Sequence, residues 1–255
     1  MITSKDALLE VRNLAKSYGH VEAVRDVSFK VGPGKVLALL GDNGAGKSSL
    51  IKLLSGVIKP DKGEMLWENR EVEFNSPLDA QQAGIATLYQ DLALINDISI
   101  ARNVFLGRED AVTVGWGPFK RLDKAKMRSE TLKAFEIMGL KVRNPDDRVQ
   151  ELSGGQRQSI AISCAVYFSA KLVILDEPTA ALSIRQQEQV LETIKTVRDR
   201  GVSVILITHN LHHIKPVADD IVVLRAGCSI ASMPAAGADP EYVASLIRGD
   251  NLAVA

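Results

Sequence analysis

Gly41-Asp42-Asn43-Gly44-Ala45-Gly46-Lys47-Ser48 has the spacing G-x-x-x-x-G-K-[ST] of a phosphate-binding loop. The residues before it, 36–40, form an unbroken apolar run, as a strand buried on both faces of a parallel sheet requires. After it, Leu50, Ile51, Leu53 and Leu54 recur at helical spacing and Gly56 supplies a stop. Strand, glycine loop and helix in this order aim backbone N–H groups and the positive end of a helix at an anion. Gly41, Gly44 and Gly46 let the backbone come closer to a phosphate than a Cβ would allow. Lys47 can reach the β and γ phosphates of a nucleotide, and the Ser48 hydroxyl can coordinate Mg²⁺. Asp42, Asn43, Ala45 and Ser49 complete the stretch and are candidate nucleotide contacts with it.

Outward from this loop the pattern predicts an α/β fold: a P-loop nucleoside-triphosphatase (NTPase) core on a mainly parallel sheet, an N-terminal antiparallel β part and an inserted helical subdomain. Val27, Phe29 and Val31 alternate with polar residues, and Gly32-Pro33-Gly34 turns into the buried strand. A further strand is expected around Met65 to Trp67. Ser76 and Pro77 open a short helix that Gly84 closes, and residues 85–89 return as a strand. From Asp91 to Glu151 helical patterns dominate, notably 124–138, interrupted by a loop with Gly115, Gly117 and Pro118. Then follow a helix from Ser153 to Phe168, a strand 172–175, a helix 183–200 and a strand 202–207. Residues 221–224 are expected as the last strand, and 240–247 as a terminal helix capped by Asp239. Residues 1–90 and 152–230 are thus assigned to the core of a single 1–255 domain, 91–151 to the helical subdomain and 231–255 to a C-terminal tail.

The bulk properties are those of an ordinary globular chain of 255 residues, 46% hydrophobic and 24% charged. Lysine plus arginine (31) balances aspartate plus glutamate (31), so no global charge advertises nucleic acid. Cys164 and Cys228 have no metal-ligand spacing and read as reduced core residues, which suits a cytosolic compartment. The opening Met-Ile-Thr-Ser-Lys-Asp lacks the apolar stretch of a secretory signal, and no run approaches a membrane span.

A second motif, Leu152-Ser153-Gly154-Gly155-Gln156, and a third, the apolar strand 172–175 ending in Asp176-Glu177, follow the phosphate loop in order. With Tyr18, Gln90 and His209 they make the chain resemble the ATP-binding cassette family over essentially its whole length. That resemblance implies ATP and Mg²⁺ as ligands. It implies that Tyr18 stacks on adenine, although a lone strand aromatic is as often core. Asp176 would position Mg²⁺, Gln90 would reach both the metal and the attacking water, and Glu177 would be the general base. His209 would contact the γ-phosphate. Ser153, Gly154, Gly155 and Gln156 open a helix, an anion site of the same physical type as the phosphate loop. In the family it binds the ATP held by a second cassette, which implies an ATP-sandwich dimer. The chain departs from the family at Ser183, where an acid is frequent.

Asp42 in the loop, residues 89–94, residues 103–109 and the Glu-Pro-Thr-Ala-Ala-Leu run look like the monosaccharide importers of bacteria, the ribose, xylose and fructose group. That implies a homodimer at the cytoplasmic face of the membrane, bound to integral permease subunits and served indirectly by a periplasmic or extracellular sugar-binding protein. Another transported cargo is the nearest alternative. Cassette proteins of translation carry two cassettes, and those of DNA repair insert a coiled coil longer than residues 91–151. Neutral charge speaks against nucleic acid as partner, and a plain P-loop kinase would lack residues 152–156.

Overall fold

The computed structural model describes residues 7–90, 93–140, 144–168 and 170–250. Asp91 and Leu92, inside the 89–94 stretch that looks like the sugar importers, lie outside the described residues, as do residues 1–6 and 251–255. Strands β1 (Leu9–Tyr18), β2 (Val21–Val31) and β3 (Val36–Leu40) lead into helix α1 (Lys47–Leu54). Then come β4 (Lys62–Trp67), β5 (Arg70–Val72), α2 (Pro77–Ala83), β6 (Ile85–Leu88) and α3 (Ile100–Val104). A two-residue pair, β7 (Thr113–Val114) and β8 (Arg121–Leu122), precedes α4 (Lys124–Ile137) and α5 (Gly154–Tyr167). The chain continues through β9 (Leu172–Asp176), α6 (Ile184–Asp199), β10 (Ser203–Ile207), β11 (Asp220–Arg225), β12 (Cys228–Pro234) and α7 (Pro240–Arg248).

Ten strands form one sheet in the order β5-β4-β1-β2-β12-β11-β3-β10-β9-β6. From β11 to β6 the pairs are parallel, and β1, β2, β4 and β5 pair antiparallel. The central strands are apolar throughout because alternate residues serve different layers. Leu37 and Leu39 of β3, Ile174 of β9 and Ile205 and Ile207 of β10 pack with Leu50 and Leu54 of α1. Their neighbours Val36, Val173, Leu175, Val204 and Leu206 pack with Val190, Ile194 and Val197 of α6. A separate cluster joins Ile100, Val104, Phe105, Val112, Met127 and Phe135 to Ile160 of α5.

Several elements differ from expectation. β11 is not the last strand: Ala226 and Gly227, both at positive φ (47° and 79°), turn the chain back into β12. Two consecutive residues in that conformation make the tight turn whose twist suits a hairpin. The strand therefore extends into the segment assigned to the C-terminal tail. Glu68 and Asn69 (φ 51° and 64°) make the corresponding turn from β4 into β5. The loop expected at Gly115, Gly117 and Pro118 is flanked by two short strands, β7 and β8, that pair with each other. Both cysteines are free and only half-buried.

Candidate functional site

In a parallel sheet every strand ends on the same edge, so segments distant in sequence collect there. β3 ends at Leu40 and runs into the phosphate loop, β10 ends at Ile207 and leads to Thr208 and His209, β9 ends at Asp176, and β6 ends two residues before Gln90. Ile207 lies beside Asp176 in register, and Leu88 beside Leu175. Gly41, His209, Asp176, Glu177 and Gln90 therefore stand on one edge, on four adjacent strands.

The phosphate loop is held from the side by the antiparallel strands. A Cβ on Gly46 (φ 100°) would lie 2.4 Å from the Ala23 carbonyl of β2. The N–H of Gly227 donates to Ala45 O (3.1 Å), and that of Arg25 to Gly227 O (2.7 Å). The Lys47 ammonium donates to the carbonyls of Gly41 (2.7 Å) and Asp42 (3.0 Å), which seats its charge over the loop. Asp42 Oδ1 accepts the N–H of Asn43 (2.7 Å), and Ala45 N–H donates to Asp42 O (3.1 Å). Ser48 is exposed and Ser49 half-buried on the first turn of α1, where the helix leaves N–H groups without internal acceptors. Tyr18 is 45% exposed at the tip of the β1–β2 hairpin, on the strand beside the one that touches Gly46.

Glu177 sits in the left-handed region (φ 47°). Its N–H donates to Ile207 O (3.0 Å), and its carbonyl accepts from Ala180 N (3.0 Å). A non-glycine residue pays about 1–2 kcal/mol for that conformation, and these two bonds hold it there. His209 Nδ1 is 2.7 Å from Glu177 Oε1. A carboxylate only accepts, so the imidazole proton facing it is on Nδ1. Burial raises the carboxyl of Asp176 above its usual range, and the Glu177 charge adds to this while the Lys47 ammonium opposes it. Two adjacent acids and a nearby ammonium are the mark of a site that binds positive and negative charge together.

At the signature, Ser153 and Gln156 form a capping box. Ser153 Oγ accepts the Gln156 N–H (3.2 Å), and Gln156 Oε1 accepts the Ser153 N–H (2.9 Å). The first-turn N–H groups of Gly154 and Gly155 have no acceptor within α5. These glycines have a further task that spacing alone does not reveal. A Cβ on Gly154 would lie 2.6 Å from Leu182 Cδ2, and one on Gly155 3.0 Å from Gln186 O. The signature helix thus packs directly on the start of α6. There Ser183, the departure from the family pattern, is the N-cap: Gln186 Oε1 accepts both its N–H (3.0 Å) and its hydroxyl (3.1 Å). Unread in the sequence is the buried His213. Thr179 and Arg108 fall in the stretches that look like sugar importers but carried no role of their own there; the structure buries Thr179 against His213 and sets the Arg108 guanidinium 4.0 Å from the Phe168 ring centroid. Their neighbours come from remote parts of the chain, which no local pattern announces.

The family model described as ABC transporter matches residues 24–180, more than half of the chain. The chain belongs to that family. It is an ATPase of the ABC type. A xylose/arabinose import ATP-binding protein of Sulfolobus acidocaldarius is 47% identical to this cassette over 220 residues, covering 86% of the chain and 85% of that protein. A fructose import ATP-binding protein of Rhizobium meliloti is 45% identical over 228 residues, covering 88% and 87%. Among solved structures, a nucleotide-free ATP-binding cassette from an ABC transporter superposes with a TM-score of 0.79 over 96% of both chains. At 24% identity that likeness is one of fold.

Proposed function

We propose that this cassette is the motor subunit of a membrane importer for a monosaccharide, working as a pair that closes around two ATP molecules. The observation that carries the chemistry is the Glu177 carboxylate, pinned at the end of β9 and 2.7 Å from His209, on the edge where the phosphate loop opens. Glu177 takes a proton from water; the water oxygen forms a bond to the γ-phosphorus, and the bond from that phosphorus to the ADP oxygen breaks. His209 orients the carboxylate and, through Nε2, faces the transferred phosphoryl group. Lys47 and the N–H groups of the loop and of α1 spread the phosphate charge. Tyr18 stacks on the base, with Asp42, Asn43 and Ser49 completing the cradle.

The donors suit Mg²⁺, which takes hard oxygen ligands. Among the described residues no cluster of three His, Cys, Asp or Glu could hold a metal without nucleotide, so Ser48, Asp176 and Gln90 would bind it together with phosphate oxygens. When bound it neutralises charge on those oxygens. Ser153, Gly154, Gly155 and Gln156 of one copy close on the nucleotide of the other. No hydrogen bond or ion pair joins this segment to residues 41–48 within the described residues of one chain.

The sugar assignment rests on the two import ATP-binding relatives. No helix among the described residues is long and apolar enough to cross a membrane. The likeness to import ATP-binding proteins favours a pore built by permease subunits, with the cassette working peripherally at the cytoplasmic face. A cavity of about 460 Å³ between the core and residues 93–108, walled by Leu88, Tyr89, Leu94, Val104, Leu106 and Arg108, is where a permease segment fits. Gln90 lies beside it and would pass nucleotide state to that segment. The test is reconstitution with the permease and a sugar-binding protein. Xylose, fructose or ribose should stimulate hydrolysis and enter the vesicles, and Lys47→Ala should abolish both. Stimulation by none of these sugars, with stimulation by another solute class, would overturn the cargo while leaving the motor.

A further inference from the structure

His213 takes no part in the chemistry so far, yet it is 6% exposed and surrounded by polar groups from three segments. Its Nδ1 lies 3.0 Å from the Thr179 hydroxyl, two residues beyond Glu177. Its Nε2 lies 3.2 Å from Gln187 Oε1 on α6 and 3.1 Å from Asn210 Nδ2, on the residue after His209. The amide orientations are fixed by their other bonds. Gln187 Nε2 donates to the carbonyls of Leu182 (3.0 Å) and Thr179 (3.4 Å), so its oxygen faces the imidazole. Asn210 Oδ1 accepts the N–H of His212 (3.0 Å), so its NH₂ group faces the imidazole.

One ring nitrogen therefore meets an acceptor and a donor together. With the proton on Nε2 the imidazole donates to Gln187 and accepts from Thr179. With the proton on Nδ1 it donates to Thr179 and accepts from Asn210. The Thr179 hydroxyl serves both states because it can donate or accept. The ring is thus the direct bridge between the turn after Glu177, the start of α6 and the turn after His209. A buried polar group of this kind is costly unless satisfied, so the bridge resists displacement of either turn.

We propose that His213 is a positioning residue for hydrolysis: its neutral imidazole ties Thr179 to the turn that carries His209 and so holds the His209–Glu177 contact in register. The two tautomers allow the tie to pass between Gln187 and Asn210 without releasing Thr179, which suits a turn that shifts during the cycle. A protonated ring would offer N–H to Asn210's own NH₂ group and lose that bond. Burial holds the imidazole below its ordinary range, with the Glu177 carboxylate opposing and His212 and His209 reinforcing. These are the titratable groups around it; from α6 and from the turn after Glu177 it meets only the neutral Gln187 and Thr179.

The inference rests on Glu177 as general base, and the two fail separately. A Glu177→Gln variant that hydrolyses ATP normally removes that base and says nothing about His213. For His213 itself, His213→Leu keeps the bulk and removes both nitrogens, and Thr179→Val removes the hydroxyl while leaving the ring packed. Each should lower kcat of the full chain about tenfold, the effect of one misplaced hydrogen bond in the transition state. KM for ATP should change less than about threefold, since no phosphate contact is lost. The double variant should lose no more than the worse single one, because both break one bridge. The acid limb of the kcat profile should be altered in His213→Leu and kept in Thr179→Val. His213→Gln, which can meet Asn210 or Gln187, should recover part of kcat. If His213→Leu does not fold, Thr179→Val alone decides. A kcat within twofold of wild type in Thr179→Val, or losses that multiply in the double variant, would overturn the assignment.

Discussion

Gly46→Ala tests how the phosphate loop is held. The new methyl would lie 2.4 Å from Ala23 O, against a usual contact above 3 Å, and the residue would keep φ near 100°. Left-handed backbone costs an L-residue about 1–2 kcal/mol. Relieving the clash means parting the loop from β2, which strains the Gly227–Ala45 and Arg25–Gly227 hydrogen bonds. Losing one or two such bonds adds about 1–2 kcal/mol. A total of about 3 kcal/mol lowers Tm by about 6–12 °C in a chain of this size. Gly44→Ala is the matched control: φ is 81°, but a Cβ there meets nothing within 4 Å. It should cost only the conformational part, about 2–8 °C. Calorimetry on both, without nucleotide, reads the difference. Equal shifts in the two variants would refute the contact with β2 as what holds this loop.

Ser183→Ala should keep most of the ATPase activity, because the residue caps α6 rather than meeting nucleotide. It should cost about 1 kcal/mol of stability by denaturant titration, and an activity loss as deep as that of Lys47→Ala would contradict this. Arg108→Glu should abolish co-purification with the permease while hydrolysis by the isolated cassette stays within twofold, since the guanidinium lines the cavity beside residues 93–94 and not the phosphate site. His213 makes stability depend on pH in a definite direction. Its folded pKa is below the ordinary value of 6.5, so the unfolded chain binds the extra proton first. Stability should be level above about pH 6.5 and fall as pH drops from there toward the folded pKa, and His213→Leu should remove that component of the slope in pH-resolved denaturation curves.

The phosphate loop was legible because strand, loop and helix are contiguous, so local spacing contains the whole device. The helix starts at Ser76, Ser153 and Asp239 were legible for the same reason: each cap reaches an N–H only two or three residues on. What failed was hairpin chemistry. The Ala226-Gly227 and Glu68-Asn69 turns lack the Asn-Gly or Asp-Gly pair that marks such turns, so β12 and β5 went unread. β12 has mostly half-buried residues with no apolar alternation. Sheet order could not be read either, because β3 lies between β11 and β10, which follow it by well over a hundred residues. That order places His209 beside Glu177. For the same reason the Thr179–His213–Gln187 bridge had no sequence signal: its members look like an ordinary helix residue, a turn residue and the second of two histidines. Gly154 and Gly155 were legible as the opening of a helix, but their close approach to α6 was not.

The most direct measurement is hydrolysis and association by Glu177→Gln in the assembled transporter. The amide keeps the size of the side chain and can still meet His209, but it cannot take the proton from water. ATP should bind with near wild-type affinity, turnover should fall by at least about a hundredfold, and light scattering should show an ATP-dependent dimer that persists. Wild-type turnover by this variant would contradict Glu177 as the base, and with it the hydrolytic site drawn on the edge of this sheet.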